Sequence, residues 1–213
     1  MINEITFKNE GYLYCKSVFY SSYNVLNLSM NFKFTTGVNK LFGEIDSGAW
    51  GISYLFSMYA YDVQKELFFN PLFANVDGYE IPLETLSKSC CYLDEKTYPL
   101  FSKKHKTVRN LIQKGLRKTK NNKTTKEICE LFMLDPERIE RPICNVGNEK
   151  FRAMAAIGYA HGKQIFCFPW MSQRIYNHYS SNILTLLDIL EKLKKIVILP
   201  VEKQVNSDCQ KSP

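Results

Sequence analysis

The chain has 213 residues, of which 45% are apolar, and its formal net charge is +7. These values are typical of a globular protein and exclude a disordered or collagen-like chain, and the length favours a single domain over residues 1–213. No apolar run approaches the roughly 20 residues needed to span a bilayer. Charged residues near the amino terminus, such as Lys8 and Glu10, argue against a secretory signal. We therefore expect a cytoplasmic protein, with a position peripheral to the inner face of the membrane as the alternative.

The cysteines indicate a reducing compartment. The seven cysteines are odd in number and form no CxxC pair, so neither a disulfide framework nor a cysteine metal site is predicted. Cys91, Cys129 and Cys167 lie among apolar residues, where a free cysteine behaves as a small hydrophobic side chain. The histidines have no metal-ligand spacing, and we expect His105 and His161 at the surface.

Basic residues are concentrated in one stretch of the chain. The segment from Lys103 to Lys126 contains lysines and arginines but no acidic residue. A solvated helical face explains such a stretch, and so does a patch for anionic lipid or an acidic partner. Because no aromatic residue is interleaved with these charges, binding of nucleic acid is not expected.

Hydrophobic periodicity predicts strands and helices in alternation. The predicted strands cover residues 5–7, 26–34, 38–42, a pair within 67–81 that turns at Asp77-Gly78, 90–93, 165–168 and 196–199. The predicted helices cover residues 49–61, 83–87, 108–116, 124–134, 151–160 and 183–195. Thr124-Thr125 is a candidate cap of the fourth of these helices, and the last helix has a basic carboxyl end, which suits the helix dipole. The last strand is apolar on both faces and is expected inside a parallel sheet, ending at Pro200. This order predicts an α/β core with an antiparallel β subdomain, a small helical insertion at about 100–150 and a frayed tail over 202–213.

Residues 43–48 have the GxxxxG spacing of a P-loop, and they follow a predicted strand and precede a predicted helix. In a working P-loop the backbone N–H groups surround the phosphates. A lysine after the second glycine supplies positive charge, and the Ser or Thr beside it holds Mg²⁺. Those two positions are Ala49 and Trp50 in this chain, and Glu44 and Asp46 bring negative charge to the loop.

Further segments follow in an order that resembles the nucleotide-binding domain of ABC transporters over nearly the whole chain. Segment 37–43 is similar to the strand that leads into Walker A, and 91–95 to the strand that leads into the Q-loop. Segment 146–152 is similar to the signature motif, 165–168 to the Walker B strand and 196–199 to the last core strand. The resemblance implies a P-loop NTPase-like, ABC-ATPase-like core.

The resemblance also implies where a nucleotide would bind. Upstream of the P-loop, Tyr20 lies where the family places an aromatic residue that stacks on adenine, with Tyr23 as the alternative. The candidate nucleotide-binding residues are Tyr20, Gly43, Glu44, Asp46, Ser47, Gly48, Ala49 and Trp50.

Each motif lacks the residues on which the family's chemistry depends. The replacements are Ala49 and Trp50 in Walker A, Glu95 in the Q-loop, Val146 and Asn148 in the signature, Pro169 and Trp170 after Walker B, and Val201 at the switch position. In the family, lysine, Mg²⁺ and the signature serine stabilise the transferring phosphoryl group, while Glu and His orient water. We therefore expect no catalytic residue and no metal site. The two tryptophans are expected to fill the vacated phosphate pocket, or alternatively to form a binding surface, and Glu149 is expected to be an acid at a helix start.

These departures from the family's motifs predict a catalytically inactive pseudo-ATPase with no cofactor. Its expected role is to dock on a membrane permease subunit, or to pair with another ABC-type domain as a homo- or heterodimer and regulate it. In one alternative the chain is an atypical ATPase subunit that binds ATP and Mg²⁺. In another it is a stand-alone binding module in which the amides of residues 43–48 hold another anion or small ligand.

Overall fold

The computed structural model describes residues 2–9, 12–16, 23–27, 30–43, 49–61, 72–96, 98–101, 106–120 and 122–202. The strands are β1 (Glu4–Asn9), β2 (Tyr12–Lys16), β3 (Tyr23–Asn27), β4 (Met30–Thr35), β5 (Gly37–Phe42), β6 (Phe73–Val76), β7 (Tyr79–Pro82), β8 (Cys90–Tyr92), β9 (Ile165–Cys167) and β10 (Ile196–Val201). The helices are α1 (Ala49–Met58), α2 (Leu83–Lys88), α3 (Val108–Thr119), α4 (Thr125–Leu131), α5 (Lys150–Ala160), α6 (Gln173–His178) and α7 (Ser180–Lys192).

A parallel sheet in the order β5-β10-β9-β8 forms the centre of the chain. Strand β10 pairs in parallel with β5 on one side and with β9 on the other, and β8 pairs in parallel with β9. Every residue of β8, β9 and β10 is buried. The apolar residues on both faces of these strands explain why they lie inside the sheet, and the predicted interior position of β10 is confirmed.

A second sheet is antiparallel and has the order β4-β1-β6-β7, while β2 and β3 form a separate antiparallel pair. Strands β6 and β7 are joined at Asp77-Gly78, where both residues have positive φ, 50° and 90°. This is the backbone of a two-residue type I′ turn, which an Asp-Gly pair favours. The predicted hairpin is therefore confirmed at its turn, whereas residues 67–71 of the prediction lie outside the described residues.

Helix α1 packs between the two sheets. Its Phe56 is fully buried and meets Phe7 of β1 and Phe34 of β4 edge to face, at centroid distances of 5.4 and 5.5 Å. Ser53 of the same helix donates a hydrogen bond to the carbonyl of Phe168, directly after β9. The same helix therefore ties the antiparallel sheet to the parallel one, and edge-to-face ring pairs add to the gain from burial.

The chain between β8 and β9 is helical. It contains α3, α4 and α5, and short 3₁₀ helices at Arg138–Glu140, Ile143–Asn145 and Gly147–Glu149 precede α5. Helix α4 starts with a capping box, in which the Thr124 hydroxyl accepts from Glu127 N and the Glu127 carboxylate accepts from Thr124 N. This reciprocal pairing satisfies two backbone donors that a helix start otherwise leaves open, as the Thr124-Thr125 pair predicted.

The expectation that Pro200 ends the last strand is wrong, because Pro200 lies within β10. Beside it β10 still pairs with β5 at Leu41, whereas the pairing with β9 stops at Ile198 and Cys167. The carbonyl of Pro200 accepts from Met171 N at 3.2 Å. The N and O atoms of one strand residue face the same side of the strand. The N–H that proline lacks would therefore point to the side of β10 on which β9 has already ended, and for this reason the proline is tolerated.

The last helix was predicted over 183–195, but α7 stops at Lys192. Lys194 takes a left-handed conformation with φ of 52°, which terminates the helix. Lys195 is therefore not on an exposed basic helix end. It is 8% exposed and donates to Gln164 Oε1 at 2.7 Å, and burial lowers the pKa of its ammonium group.

The short helix α6 was not predicted, because its sequence has no clear apolar periodicity. Ser172 caps it by accepting from Ile175 N at 3.3 Å. Among the described residues, no helix is both long enough and apolar enough to cross a membrane.

Candidate functional site

The carboxyl ends of the parallel strands meet at one edge of the sheet, where ligands bind in open α/β folds. Gly43 is buried directly after β5, and its N–H donates to the carbonyl of Val201 at the end of β10 at 3.1 Å. Phe168, Pro169 and Trp170 follow β9 at the same edge. The structure thus brings the start of the P-loop-like segment beside the residues that follow the Walker B-like strand.

Trp170 is bonded to the start of the P-loop-like segment. Its indole Nε1 donates a hydrogen bond to the carbonyl oxygen of Gly43 at 3.1 Å, and the side chain is partly buried against the core. Neither Trp170 nor Pro169 has an oxygen in its side chain that could bind Mg²⁺. At this position the chain therefore makes an internal contact with an apolar ring and an N–H donor.

Most of the predicted nucleotide-binding residues lie outside the described residues. This holds for Tyr20, Glu44, Asp46, Ser47 and Gly48. Ala49 and Trp50 are the first residues of α1, and the structure describes their helical backbone but not their side chains. Tyr23 lies in β3. Of the predicted binding residues, Gly43 is described with its contacts, and the binding roles of all of them stay predictions.

Helix α1 contains two buried serines that the sequence analysis did not single out, and Ser53 anchors the helix to this edge. Ser53 Oγ donates to Phe168 O at 2.5 Å, and Ser57 Oγ donates to Ser53 O at 2.7 Å. Both serines are fully buried. Their signal in the sequence is that they interrupt the apolar face of α1 four residues apart, where a polar group must find a partner inside the protein.

The segment after β10 is also used for internal contacts. Val201, at the position of the switch residue, is 7% exposed. The next residue, Glu202, accepts from Gln173 N through Oε2 at 2.7 Å and donates its own N–H to the carbonyl of Met171. These bonds hold the chain after β10 against the chain after β9.

The signature-like segment is packed into the protein as well. Val146 is buried at 2% exposure, and Asn148 Oδ1 accepts from Arg138 Nη1 at 2.7 Å. Glu149 lies at the start of α5 as expected, but it also pairs with Arg138 at 3.4 Å and with Arg152 at 3.7 Å. Because its side chain is only 12% exposed, these pairings give Glu149 a structural role beyond the helix start.

Glu95, after β8, is close to the same segment. Its Oε1 lies 3.9 Å from Lys150 Nζ, while its Oε2 is buried without a hydrogen-bond partner among the described residues. In the part of the chain that is described, no group of three or more histidine, cysteine, aspartate or glutamate residues could hold a metal ion.

The cysteines near the sheet are poor nucleophiles. Burial raises the pKa of the Cys91 thiol and of the Cys167 thiol well above the ordinary value, so both stay protonated at neutral pH. Cys91 and Cys167 are fully buried, and Cys129 is 7% exposed. Their predicted role as buried apolar side chains is confirmed.

Solved ATP-binding proteins of ABC transporters have similar structures. An ABC transporter ATP-binding protein from Pyrococcus furiosus aligns over 97% of this chain and 94% of its own, with 13% identity and a TM-score of 0.56. The protein cbiO1 from Clostridium perfringens, part of the ABC transporter complex cbiONQ, aligns over 96% of this chain and 80% of its own, with 13% identity and a TM-score of 0.58.

A dimeric bacterial ABC transporter cassette aligns over 95% of this chain and 89% of its own, again with 13% identity, and the TM-score is 0.57. No family model and no curated protein matches the sequence. At this level of identity the likeness establishes the fold. The chain has the α/β fold of ABC transporter ATP-binding domains, as the order of its motifs indicated.

Proposed function

We propose that this protein is a catalytically inactive protein with the ABC ATP-binding fold, which acts as a docking or regulatory partner of a transporter or of an active ATP-binding subunit. The observation that carries the proposal is the hydrogen bond from the Trp170 indole to the Gly43 carbonyl. It uses the position after the Walker B-like strand for an internal contact at the edge where an ATPase needs metal and phosphate ligands.

The described residues at this edge do not fit a magnesium nucleotide. Mg²⁺ takes oxygen ligands in near-octahedral geometry, but Pro169 and Trp170 supply none, and the Glu202 carboxylate accepts from the backbone of α6. Water activation needs a carboxylate or imidazole within hydrogen-bond reach of the reacting atoms, and neither Pro169 nor Trp170, the described residues after the Walker B-like strand, supplies one. Ala49 supplies no charge for the phosphates where the family has lysine.

A partner role is supported by what the fold retains. The helical segment between β8 and β9 is well packed, with Val146 and Glu149 held by internal contacts, so loss of the motif side chains has not removed the architecture. The solved protein cbiO1 is described as part of a transporter complex, and another similar structure is dimeric. By analogy we propose a membrane permease subunit or a second ABC-type subunit as the partner, at the cytoplasmic face of the membrane.

Nucleotide turnover tests the proposal. The full chain is incubated with ATP and Mg²⁺ while released phosphate is measured, and sedimentation velocity follows its mass with and without nucleotide. We expect no phosphate release and no nucleotide-dependent dimer. Measurable turnover that disappears when Gly48 is replaced by Asp would contradict the proposal and favour the atypical ATPase.

Cross-linking in the native host tests the partner role. Peptides linked to this chain are identified by mass spectrometry, and we expect peptides of a membrane permease subunit or of another ABC-type subunit. Cross-links that are confined to chaperones or to abundant unrelated proteins would count against a docking role.

A further inference from the structure

A cavity of about 290 Å³ lies at the opposite edge of the parallel sheet from Trp170. Lys88 and Lys163, which come just before β8 and β9, lie on one side of it. Lys114 and Lys118 of α3 lie on another side, and His161 follows α5. The cavity is therefore formed where the amino ends of two strands meet the helical segment, away from the P-loop-like residues.

The described residues that line this cavity include four lysines and one histidine but no carboxylate. Lys114 and Lys118 are one helical turn apart, and like charges at this spacing destabilise a helix. Lys88 pairs with Glu84 at 3.6 Å, but both side chains are largely exposed, so the pair screens little. Positive charge that converges on a concave surface attracts anions and raises their local concentration.

One of the cations, Lys163, is held in place by the fold. Lys163 Nζ donates to the carbonyl of Lys88 at 2.5 Å and lies 5.9 Å from the centre of the Tyr98 ring. The Tyr98 hydroxyl in turn donates to Cys90 O at 2.7 Å, which fixes the ring on the first residue of β8. A ligand that binds here meets a preoriented ammonium group, so less side-chain entropy is lost on binding.

His161 was expected at the surface but is half-buried in this wall. Its Nε2 is 3.2 Å from the carbonyl of Leu111, so Nε2 carries the hydrogen and Nδ1 is the nitrogen that takes up a further proton. The pKa of His161 is lowered from its ordinary value, and burial is the largest cause. The hydrogen bond to Leu111 opposes this change, whereas Lys118, Lys163 and Lys114 lower the pKa further. The lysines are thus close enough to act on His161, and a bound anion would favour its charged form.

A second concavity, of about 400 Å³, adjoins the first across Lys114. It is lined by Lys106, Asn110 and Arg117 as well as by Lys114 itself. The cationic surface therefore continues along α3 beyond the first cavity, with Lys114 shared between the two. A ligand with a single charge would use only part of this surface.

We propose that these adjoining cavities, centred on Lys114, bind an anion that carries two or more phosphate groups. Lysine binds phosphate as a point charge, and several lysines around a concave site suit a ligand with charge spread over several groups. The same chemistry is present in a soluble oligophosphate and in the headgroup of a phosphorylated lipid. The site adds to the function proposed above and does not depend on it.

Direct titration tests the site on the full chain. Isothermal calorimetry uses sodium tripolyphosphate as the soluble probe, and vesicle sedimentation uses phosphatidylcholine with or without phosphatidylinositol bisphosphate. We expect binding in at least one arm, with an affinity that falls as salt is raised. Binding of tripolyphosphate alone assigns a soluble ligand, and sedimentation only with the phosphorylated lipid assigns a headgroup.

The variant Lys114→Gln removes the shared charge, and Lys126→Gln is its matched control. Lys126 belongs to the same basic stretch, pairs with Glu130 at 3.8 Å and lines neither cavity. We expect Kd to rise about tenfold or more in Lys114→Gln, as for the loss of one charge-assisted hydrogen bond, and to be unchanged in Lys126→Gln. An NMR titration should show the pKa of His161 rising when tripolyphosphate is bound.

Absence of binding to both probes would overturn the proposal, and so would an equal loss of affinity in Lys114→Gln and Lys126→Gln. ATP itself carries phosphates and is expected to bind here weakly. Such binding is distinguished from the P-loop-like site because it is lost in Lys114→Gln and gives no phosphate release. An experiment that contradicts this anion site therefore gives a different result from one that contradicts the proposed function.

Discussion

Single residues decide what the carboxyl edge of the sheet can do. The Trp170 indole and the Gly43 carbonyl form one bond, and the Ser53 hydroxyl and the Phe168 carbonyl form another. Both bonds join residues that are more than 100 positions apart and use polar groups that would otherwise need water. The Trp170 and Ser53 side chains at this edge are thus used for contacts within the protein.

The Trp170→Phe variant tests the bond at this edge. Phenylalanine keeps an apolar ring but lacks the N–H donor, so the free energy of unfolding should fall by about 0.5–1.5 kcal/mol, the usual net contribution of one hydrogen bond. Urea denaturation measures the change. NMR exchange of the indole proton is the check on the wild-type protein: exchange as fast as in a free indole would show that the bond does not form.

At the scale of elements, the helical segment depends on the close approach of α3 and α5. A Cβ on Gly115 would lie 2.8 Å from the carbonyl carbon of Ala160 and 2.9 Å from His161 N. Thr119 Oγ1 also donates across the interface to Ala160 O at 3.1 Å. The contact between these helices at position 115 therefore requires a residue without a side chain. The cavity wall that contains His161 depends on this contact.

The Gly115→Ala variant tests this packing. Alanine favours a helix by about 1 kcal/mol over glycine, but backbone atoms of α5 cannot move aside without separating the helices. We expect a net loss of about 1–3 kcal/mol in the free energy of unfolding, typical of overpacking. Gln113→Ala on the same helix is the control, and urea denaturation should show almost no loss there. A variant at Gly115 that is as stable as the wild type would contradict the close approach.

At the scale of the whole molecule, two sheets enclose α1, and the interior cysteines report whether this core is intact. Cys90, Cys91 and Cys167 are fully buried, whereas Cys144 is exposed. Burial raises the pKa of Cys91 and Cys167, so the reactive thiolate is scarce as well as inaccessible. Thiol reactivity should therefore follow global unfolding.

Alkylation with iodoacetamide, mapped by mass spectrometry, measures this reactivity. In the native protein we expect Cys144 to be alkylated at the earliest time points. We expect Cys90, Cys91 and Cys167 to be alkylated only in urea above the unfolding midpoint. The Cys144→Ser variant is the control, because it removes the exposed thiol among the cysteine side chains that the structure describes. Rapid native labelling of Cys167 would mean that the parallel sheet opens locally without global unfolding.

Local signals in the sequence were sufficient for most of the elements. The apolar residues of 196–199 indicated an interior parallel strand, Asp77-Gly78 indicated the hairpin turn, and Thr124 indicated the start of α4. Such patterns depend on residues within a few positions of each other, so a single sequence records them. The order of degenerate motifs was also sufficient to indicate the fold, because the order of elements survives when individual side chains change.

Contacts between distant segments could not be read in the same way. The bond from Trp170 to Gly43, the approach of α5 to Gly115, and the convergence of Lys88 with Lys114 each join residues that are far apart along the chain. Periodicity states which face of an element is apolar but not which element packs on it. The composition and the order of motifs therefore specify an ABC-like α/β chain. Packing between distant segments decided that the Trp170 indole bonds to Gly43 and that Lys88 and Lys114 line one cavity.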